Sequence, residues 1–187
     1  MPKSQELKTS RSKIIYYVAS SLDGYIAGVQ DDISKFPAAG KGVDHYLADL
    51  KHFETVLMGR RTYEFGYQFG LLPGQPAYPH MKHYIFSETL QIDHLADNVH
   101  IEKLSAERIQ EIRNEADTDI YLCGGGQLAG WLLDHGLIDL LKLKLNPIIL
   151  GDGIPLFGNS TSSFSAQLME KQSFKDGLQL LTYALKK

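Results

Sequence analysis

The chain has 187 residues, 43% of them hydrophobic and 22% charged, and a formal net charge of −3. That suits one globular domain with a full core, and it excludes the broad basic field of a nucleic-acid-binding protein. Cys123 is the single cysteine, so no disulfide forms within the chain, and a lone thiol fits the reducing cytoplasm, the expected location. No apolar run is long enough to span a membrane, and the polar start has no signal-peptide pattern, so no membrane partner is expected. Residues 1–12 read as a flexible leader and 13–187 as one domain.

In chain order, residues 13–20 (KIIYYVAS) are β-branched and aromatic and predict a first strand buried on both faces. Asp23-Gly24 breaks it, and 25–27 is a short continuation. Residues 28–42 are loop. A helix is expected over 44–52, with Tyr46 or Leu47, Leu50 and Phe53 facing inward. Residues 55–58 are a strand, 62–69 a helix, and 71–79 a loop with three prolines. Strands follow at 82–86 and 99–101. Ser105 is the expected N-cap of a helix through Ala116, with Ile109 and Ile112 on one face. Residues 119–123 form a strand and 127–135 a helix, closed by Gly136 at a C′ position. Leu141, Leu143 and Leu145 alternate with Lys142 and Lys144, which predicts a strand with a solvated lysine face. GDG at 151–153 is a turn. Residues 164–174 and 178–186 flank Lys175-Asp176-Gly177 as a hairpin. Alternating strands and helices that end in strands predict a three-layer α/β domain. Its mixed sheet is mainly parallel, with an antiparallel C-terminal edge.

Two junctions carry chemistry. In DIYLCGGGQLAGWLLDHG (119–136), three glycines separate a buried strand from a helix start. Helix N-termini have free N–H groups, and glycines let an anion approach them closely. The segment GGGQLA matches G-x-G-x-x-G/A, yet it falls late in the chain. About 20 residues on, where a Rossmann unit has its ribose-binding acid, stands Lys144. In VLMGRRTYE (56–64), Gly59 follows a strand and precedes Arg60, Arg61 and Thr62, residues suited to phosphate. Parallel strands bring both junctions to one sheet edge, where a long anionic ligand such as a dinucleotide would lie. HMKH (80–83) lacks a third ligand at metal-site spacing, so no metal is expected.

The segments VASSLDGYIAG, VLMGRRTYE, YIFS, IYLCGGGQL and NPIILGDGIPLF occur in one register across residues 18–157. With them the chain resembles the dihydrofolate-reductase-like superfamily. It is most similar to the branch holding the C-terminal reductase domain of the bifunctional riboflavin-biosynthesis deaminase-reductase. The resemblance implies an NADPH-dependent oxidoreductase acting on a small pteridine-like or aminopyrimidine heterocycle. It implies cofactor contacts from Ala19 and Ile26 at the nicotinamide, from Gly59, Arg60, Arg61 and Thr62 at the phosphates, from Ser87 at the adenine ribose, and from Gly124, Gly125, Gly126 and Gln127 at the pyrophosphate. Relatives often have arginine after that serine; here Glu88 would repel a 2′-phosphate, which leaves NADPH selection to Arg60 and Arg61. Asp44 falls nearest the acid that serves the pterin in dihydrofolate reductases. Asp23 belongs either to the nicotinamide loop as a functional acid or to a plain Asp-Gly turn. The zinc-deaminase signature is absent from this chain. A dihydrofolate reductase proper and a nucleotide-binding module without catalysis are the alternatives. Apolar C-terminal strands, and pairing among relatives, make a homodimer the expected assembly.

Overall fold

A run of β-branched and aromatic residues places β1, Ile14–Ser20, near the middle of the sheet, buried on both faces. The computed structural model describes residues 11–186. After β1 come β2 (Tyr25–Ala27), α1 (Lys41–Leu50), β3 (Thr55–Gly59), α2 (Arg60–Phe65), β4 (Lys82–Phe86), β5 (Val99–Glu102), α3 (Ala106–Glu115), β6 (Ile120–Gly124), α4 (Gly126–Asp134), β7 (Leu140–Leu145), β8 (Ile154–Pro155), β9 (Ser165–Ser173) and β10 (Gln179–Lys186). Eight strands form one sheet in the order β5-β4-β3-β6-β1-β7-β10-β9. The six from β5 to β7 run parallel, and β10 is antiparallel to both β7 and β9. β2 and β8 pair separately, beside the carboxyl end of β1.

Two apolar clusters fill the two sides of the sheet. One joins Ile109 and Ile112 of α3 and Leu128, Ala129, Leu132 and Leu133 of α4 to Ile14, Tyr16, Leu57 and Leu122. The other joins Leu50 of α1 and Tyr63 of α2 to Tyr17, Val56, Met58, Ile85 and Tyr121. The fold is therefore the expected three-layer α/β domain, with a mainly parallel sheet and an antiparallel C-terminal edge.

Local differences have local causes. α1 begins at Lys41 because Gly40, at φ +125, turns the chain into it. Its inner face uses Tyr46, while Leu47 is 52% exposed. α2 begins directly at Arg60 because Gly59 stays extended up to the strand end, and its last turn tightens into a 3-10 turn at Gly66–Phe69. Ser105 caps α3 as expected, its hydroxyl accepting the Arg108 N–H at 3.1 Å. Of the expected leader, residues 1–10 lie outside the described residues. Ser12 belongs to the domain, donating its hydroxyl hydrogen to the Ala116 carbonyl at 3.0 Å.

The solvated lysine face of β7 is corrected by the structure. Lys144 is only 7% exposed, because α1 lies across that side of the sheet. Lys142 is half-buried and ion-paired with Asp49 at 2.6 Å. Long lysine stems cover apolar surface as leucines do, so an alternating Leu/Lys pattern does not by itself mark a wet face.

His83 of the HMKH segment is fully buried, and burial pushes its pKa down to about 4. Its Nε2 accepts the Tyr78 N–H at 3.1 Å, and its Nδ1 faces the Met81 carbonyl at 3.0 Å. Both ring nitrogens are thus committed in the neutral form. His80 Nε2 lies 3.2 Å from the Leu50 carbonyl. As pH falls below the ordinary histidine value, the unfolded chain takes a proton that the folded chain refuses. Lowering pH from about 6.5 to about 5 should therefore cost about 2 kcal/mol of stability through this group. Urea unfolding of the wild type and His83→Gln across that range checks it. The pH slope should be shallower in the variant, and parallel slopes would remove His83 as the cause.

Candidate functional site

The carboxyl ends of the central parallel strands open into one cleft of about 560 Å³. β1 contributes Val18 and Ala19, β3 contributes Gly59, and β4 with the residues after it contributes Phe86, Ser87 and Glu88. β6 and the turn behind it contribute Cys123, Gly125 and Gly126. This is the edge at which open α/β sheets bind ligands, because strands that diverge there leave a crevice between their loops.

The three glycines divide the work. Gly124 sits at φ +121, a conformation that L side chains rarely adopt, and is buried outside the cleft lining. It turns the chain. The peptide between Gly124 and Gly125 is cis. Gly125 caps α4 without any side-chain hydrogen bond, so the first N–H groups of α4 carry no side-chain cap. A helix start of this kind attracts anions. Gln127 and Trp131, one turn apart on α4, both line the cleft.

The second junction touches the first. A Cβ built on Gly59 would lie 3.9 Å from the Gly125 nitrogen, and one on Gly125 would lie 3.0 Å from the Thr62 Oγ1. Arg60 and Arg61 line the same cleft and are held by neighbours. Arg60 Nε donates to Glu64 at 2.9 Å and its Nη1 to Thr89 at 2.8 Å. Arg61 Nη2 donates to both Asp31 oxygens, at 3.2 and 3.1 Å. Ser87 accepts the N–H groups of Thr89 and Leu90, which fixes the turn after β4. Glu88, read as repelling a phosphate, pairs with Lys103 at 3.7 Å on the exposed rim.

Ala19, Ile26, Gly59, Arg60, Arg61, Thr62, Ser87, Gly125, Gly126 and Gln127 line one cleft; Gly124 stands behind it. The two acids do not join them. Asp44 is exposed near the start of α1 and absent from the cleft lining. The exposed Asp23 carboxylate accepts the N–H groups of Leu150 at 3.1 Å and Gly151 at 2.7 Å. The Ser21 hydroxyl and the Gly151 N–H hold its pKa down, at about 2. It clasps the loop after β1 to the loop after β7, which sets β2 against β8. The turn reading of Asp23 matches this geometry, and its service to the site is indirect: Ile26 and Ile154, on the two clasped strands, are cleft residues.

Sequence reasoning missed several cleft residues. Trp131 is half-buried, stacked on His135 with ring centroids 3.9 Å apart, and lines the cleft with Phe86 and Leu104. Its i, i+4 spacing from Gln127 was the available signal. Cys123 is the extra residue where β6 slips by one against β3, since Leu57 pairs with Leu122 and Met58 with Gly124. Such bulges re-aim side chains beside sites. Burial pushes the Cys123 thiol above its ordinary pKa. Among the described residues no group of three or more His, Cys, Asp or Glu converges as a metal site, and no helix is long and apolar enough to cross a membrane.

The family model for the RibD C-terminal domain matches residues 12–180. The uncharacterized proteins YyaP and YwjB of Bacillus subtilis are 26% and 29% identical, over 91% and 90% of this chain and 94% and 95% of their own. A putative riboflavin biosynthesis protein from Shewanella sp. PV-4 superposes with a TM-score of 0.74 at 24% identity, covering 94% of this chain and 99% of that one. The diaminohydroxyphosphoribosylaminopyrimidine deaminase/5-amino-6-(5-phosphoribosylamino)uracil reductase of Thermotoga maritima gives 0.66 at 18% identity, and this chain covers 57% of its length with 94% of its own. The dihydrofolate reductase of Enterococcus faecalis, in complex with NADP(H), gives 0.64 at 16% identity over 94% and 97%. These structural likenesses show a shared fold. A family match running from before β1 into β10, on a sheet whose carboxyl edge holds the motif residues in one cleft, makes the chain a member of the RibD C-terminal domain family.

Proposed function

We propose that this protein is an NADPH-dependent reductase of a small pteridine-like or aminopyrimidine heterocycle. The observation that carries the proposal is the meeting of two phosphate-suited corners in one cleft with an apolar end. The corners are the uncapped start of α4 and the Arg60–Arg61–Thr62 turn; the end is walled by Ala19, Ile26 and Cys123. The volume lies in the range of small-molecule sites. The family membership and the NADP(H)-bound fold neighbour point the same way. A bound NADPH supplies the hydride. The chain's share is positional: the guanidiniums and the α4 N–H groups take the phosphates, and Ala19 and Ile26 hold the nicotinamide end out of water. Neither Asp23 nor Asp44 lines the cleft, so the accompanying proton comes from another donor. The exposed strand β9, with Leu168 and Met169 on its surface, is the edge we assign to a second copy of the chain in a homodimer.

Trp131 is the single tryptophan of the chain and stands in the cleft. NADPH should therefore quench its fluorescence saturably, with NADH at least about tenfold weaker, a gap of roughly 1.4 kcal/mol. A flat titration with both nucleotides overturns the reductase reading.

A further inference from the structure

The cleft runs along the edge of the sheet, so different strands build its two ends. β4, β5 and the residues after them supply Phe86, Ser87, Glu88 and Leu104 at one end. β1, with β2 and β8 beside it, supplies Ala19, Ile26, Ala27 and Ile154 at the other, and β3 and β6 lie between. Asp31 reaches Arg61 at 3.1 Å, which ties the loop after β2 to α2. Ile33, two residues past the tie on the loop, and Phe65, one helical turn past it on α2, both line the cleft. The Phe65 ring packs on that of Phe69, with centroids 5.3 Å apart.

Two properties set this second end apart. The first is that its apolar surface continues outward. Val29, two residues from the lining residue Ala27, is 59% exposed, and Phe69 is 68% exposed. Apolar side chains left open beside a groove mark a surface that a ligand covers. The second is charge. Among the described residues the lining holds two cations, Arg60 and Arg61, and two carboxylates, Asp31 and Glu88. Arg61 comes nearest to Ile33 and Phe65, but Asp31 holds it and the cofactor phosphate competes for what remains. Lys35, exposed in the same loop, and Lys142 and Lys144, under α1, all lie outside the lining. A second phosphate at this end would meet an apolar wall and a carboxylate, with no cation left over for it. An anion placed there loses hydration that nothing replaces.

We infer that the hydride acceptor is an uncharged heteroaromatic compound without a phosphate, bound by an apolar flank against Ile33 and Phe65. The inference rests on the reductase reading and names the substrate class of that site. It sets this chain apart from the phosphoribosyl compound in the name of the Thermotoga maritima enzyme.

The test is calorimetric titration of the NADPH-bound protein with three probes. These are 6,7-dimethylquinoxaline, which is uncharged, quinoxaline-2-carboxylate, which is an anion of the same ring, and ribose 5-phosphate. Dimethylquinoxaline should bind about tenfold or more tighter than the carboxylate, and ribose 5-phosphate should not bind saturably at millimolar concentration. Phe65→Ala should weaken dimethylquinoxaline about tenfold and NADPH, read by Trp131 fluorescence, no more than about twofold. Ile33→Ser, on the exposed loop, should weaken dimethylquinoxaline in the same sense and serves if the alanine variant fails to fold. Ile33→Arg should shift the preference toward the carboxylate by about tenfold. Equal or tighter binding of the carboxylate by the wild type, saturable binding of ribose 5-phosphate, or no binding of dimethylquinoxaline overturns the inference. Failure of NADPH to bind the wild type brings down the reductase reading instead. The same three probes titrated onto the free protein then decide the character of the apolar end separately.

Discussion

Replacing Arg60 and Arg61 together with alanine should lower NADPH affinity roughly 100-fold and NADH affinity by no more than about threefold, a difference of about 2 kcal/mol. The size follows from the partners. Hydrogen bonds to a charged group contribute about 1.5–3 kcal/mol each, but both guanidiniums already have company. Arg61, 76% exposed, must share itself with Asp31, and Arg60, 42% exposed, with Glu64. Exposure and this competition reduce the gain below the sum of two full interactions. The selectivity follows from position, since only the 2′-phosphate distinguishes the two nucleotides. The contribution should shrink with salt, because both side chains lie within reach of solvent. Equal losses for NADPH and NADH would move the arginines to the pyrophosphate. No loss for either would leave them as a surface pair.

Gly126→Ala should destabilise the fold by about 3 kcal/mol, whereas Gly59→Ala should leave stability within about 0.5 kcal/mol and weaken NADPH binding about tenfold. A Cβ on Gly126 would lie 2.3 Å from the Pro155 carbonyl oxygen and 3.0 Å from the Gly158 nitrogen. Both are backbone atoms, one at the end of β8 and one in the loop after it, which cannot swing aside as a side chain can. A Cβ on Gly59 meets protein atoms no closer than 3.8 Å, and its φ of −76° suits any residue. Gly59 nevertheless lines the cleft, so its methyl group would occupy ligand space. Urea unfolding and nucleotide titration on both variants separate the effects. Unchanged stability in Gly126→Ala would refute the close packing of α4 on that loop, and unchanged nucleotide affinity in Gly59→Ala would take Gly59 out of the ligand's path.

Much of this was readable locally. The first strand, the cap at Ser105 and the hairpin turn at Gly177, with its φ of +87, follow from side-chain branching, an accepting hydroxyl and a glycine conformation. Those properties belong to the residue and its near neighbours. The glycine corners were readable for the same reason: a strand that ends in glycine before a helix brings its backbone to a sheet edge. Asp44 was the least secure carry-over because a loop without motif precedes it, and a count along such a loop does not fix which side of a helix a residue occupies. Trp131 was not legible as a cleft residue because a helix between a core and a cleft buries two faces, and periodicity reports both as apolar.

By itself the sequence determined the alternation of strands and helices, the ends at which the glycines and arginines stand, and the family. Each is encoded over stretches of a few to a dozen residues. Only the tertiary structure decided that Asp23 clasps a loop 127 residues away, that Lys142 finds Asp49 across the sheet, and that Lys144 keeps a buried charge with an aromatic ring as its neighbour. The reason is that a side chain's partner and its share of water are set by what packs over it. For β7 that cover is α1, brought from 90 or more residues earlier in the chain by the folding of the whole sheet.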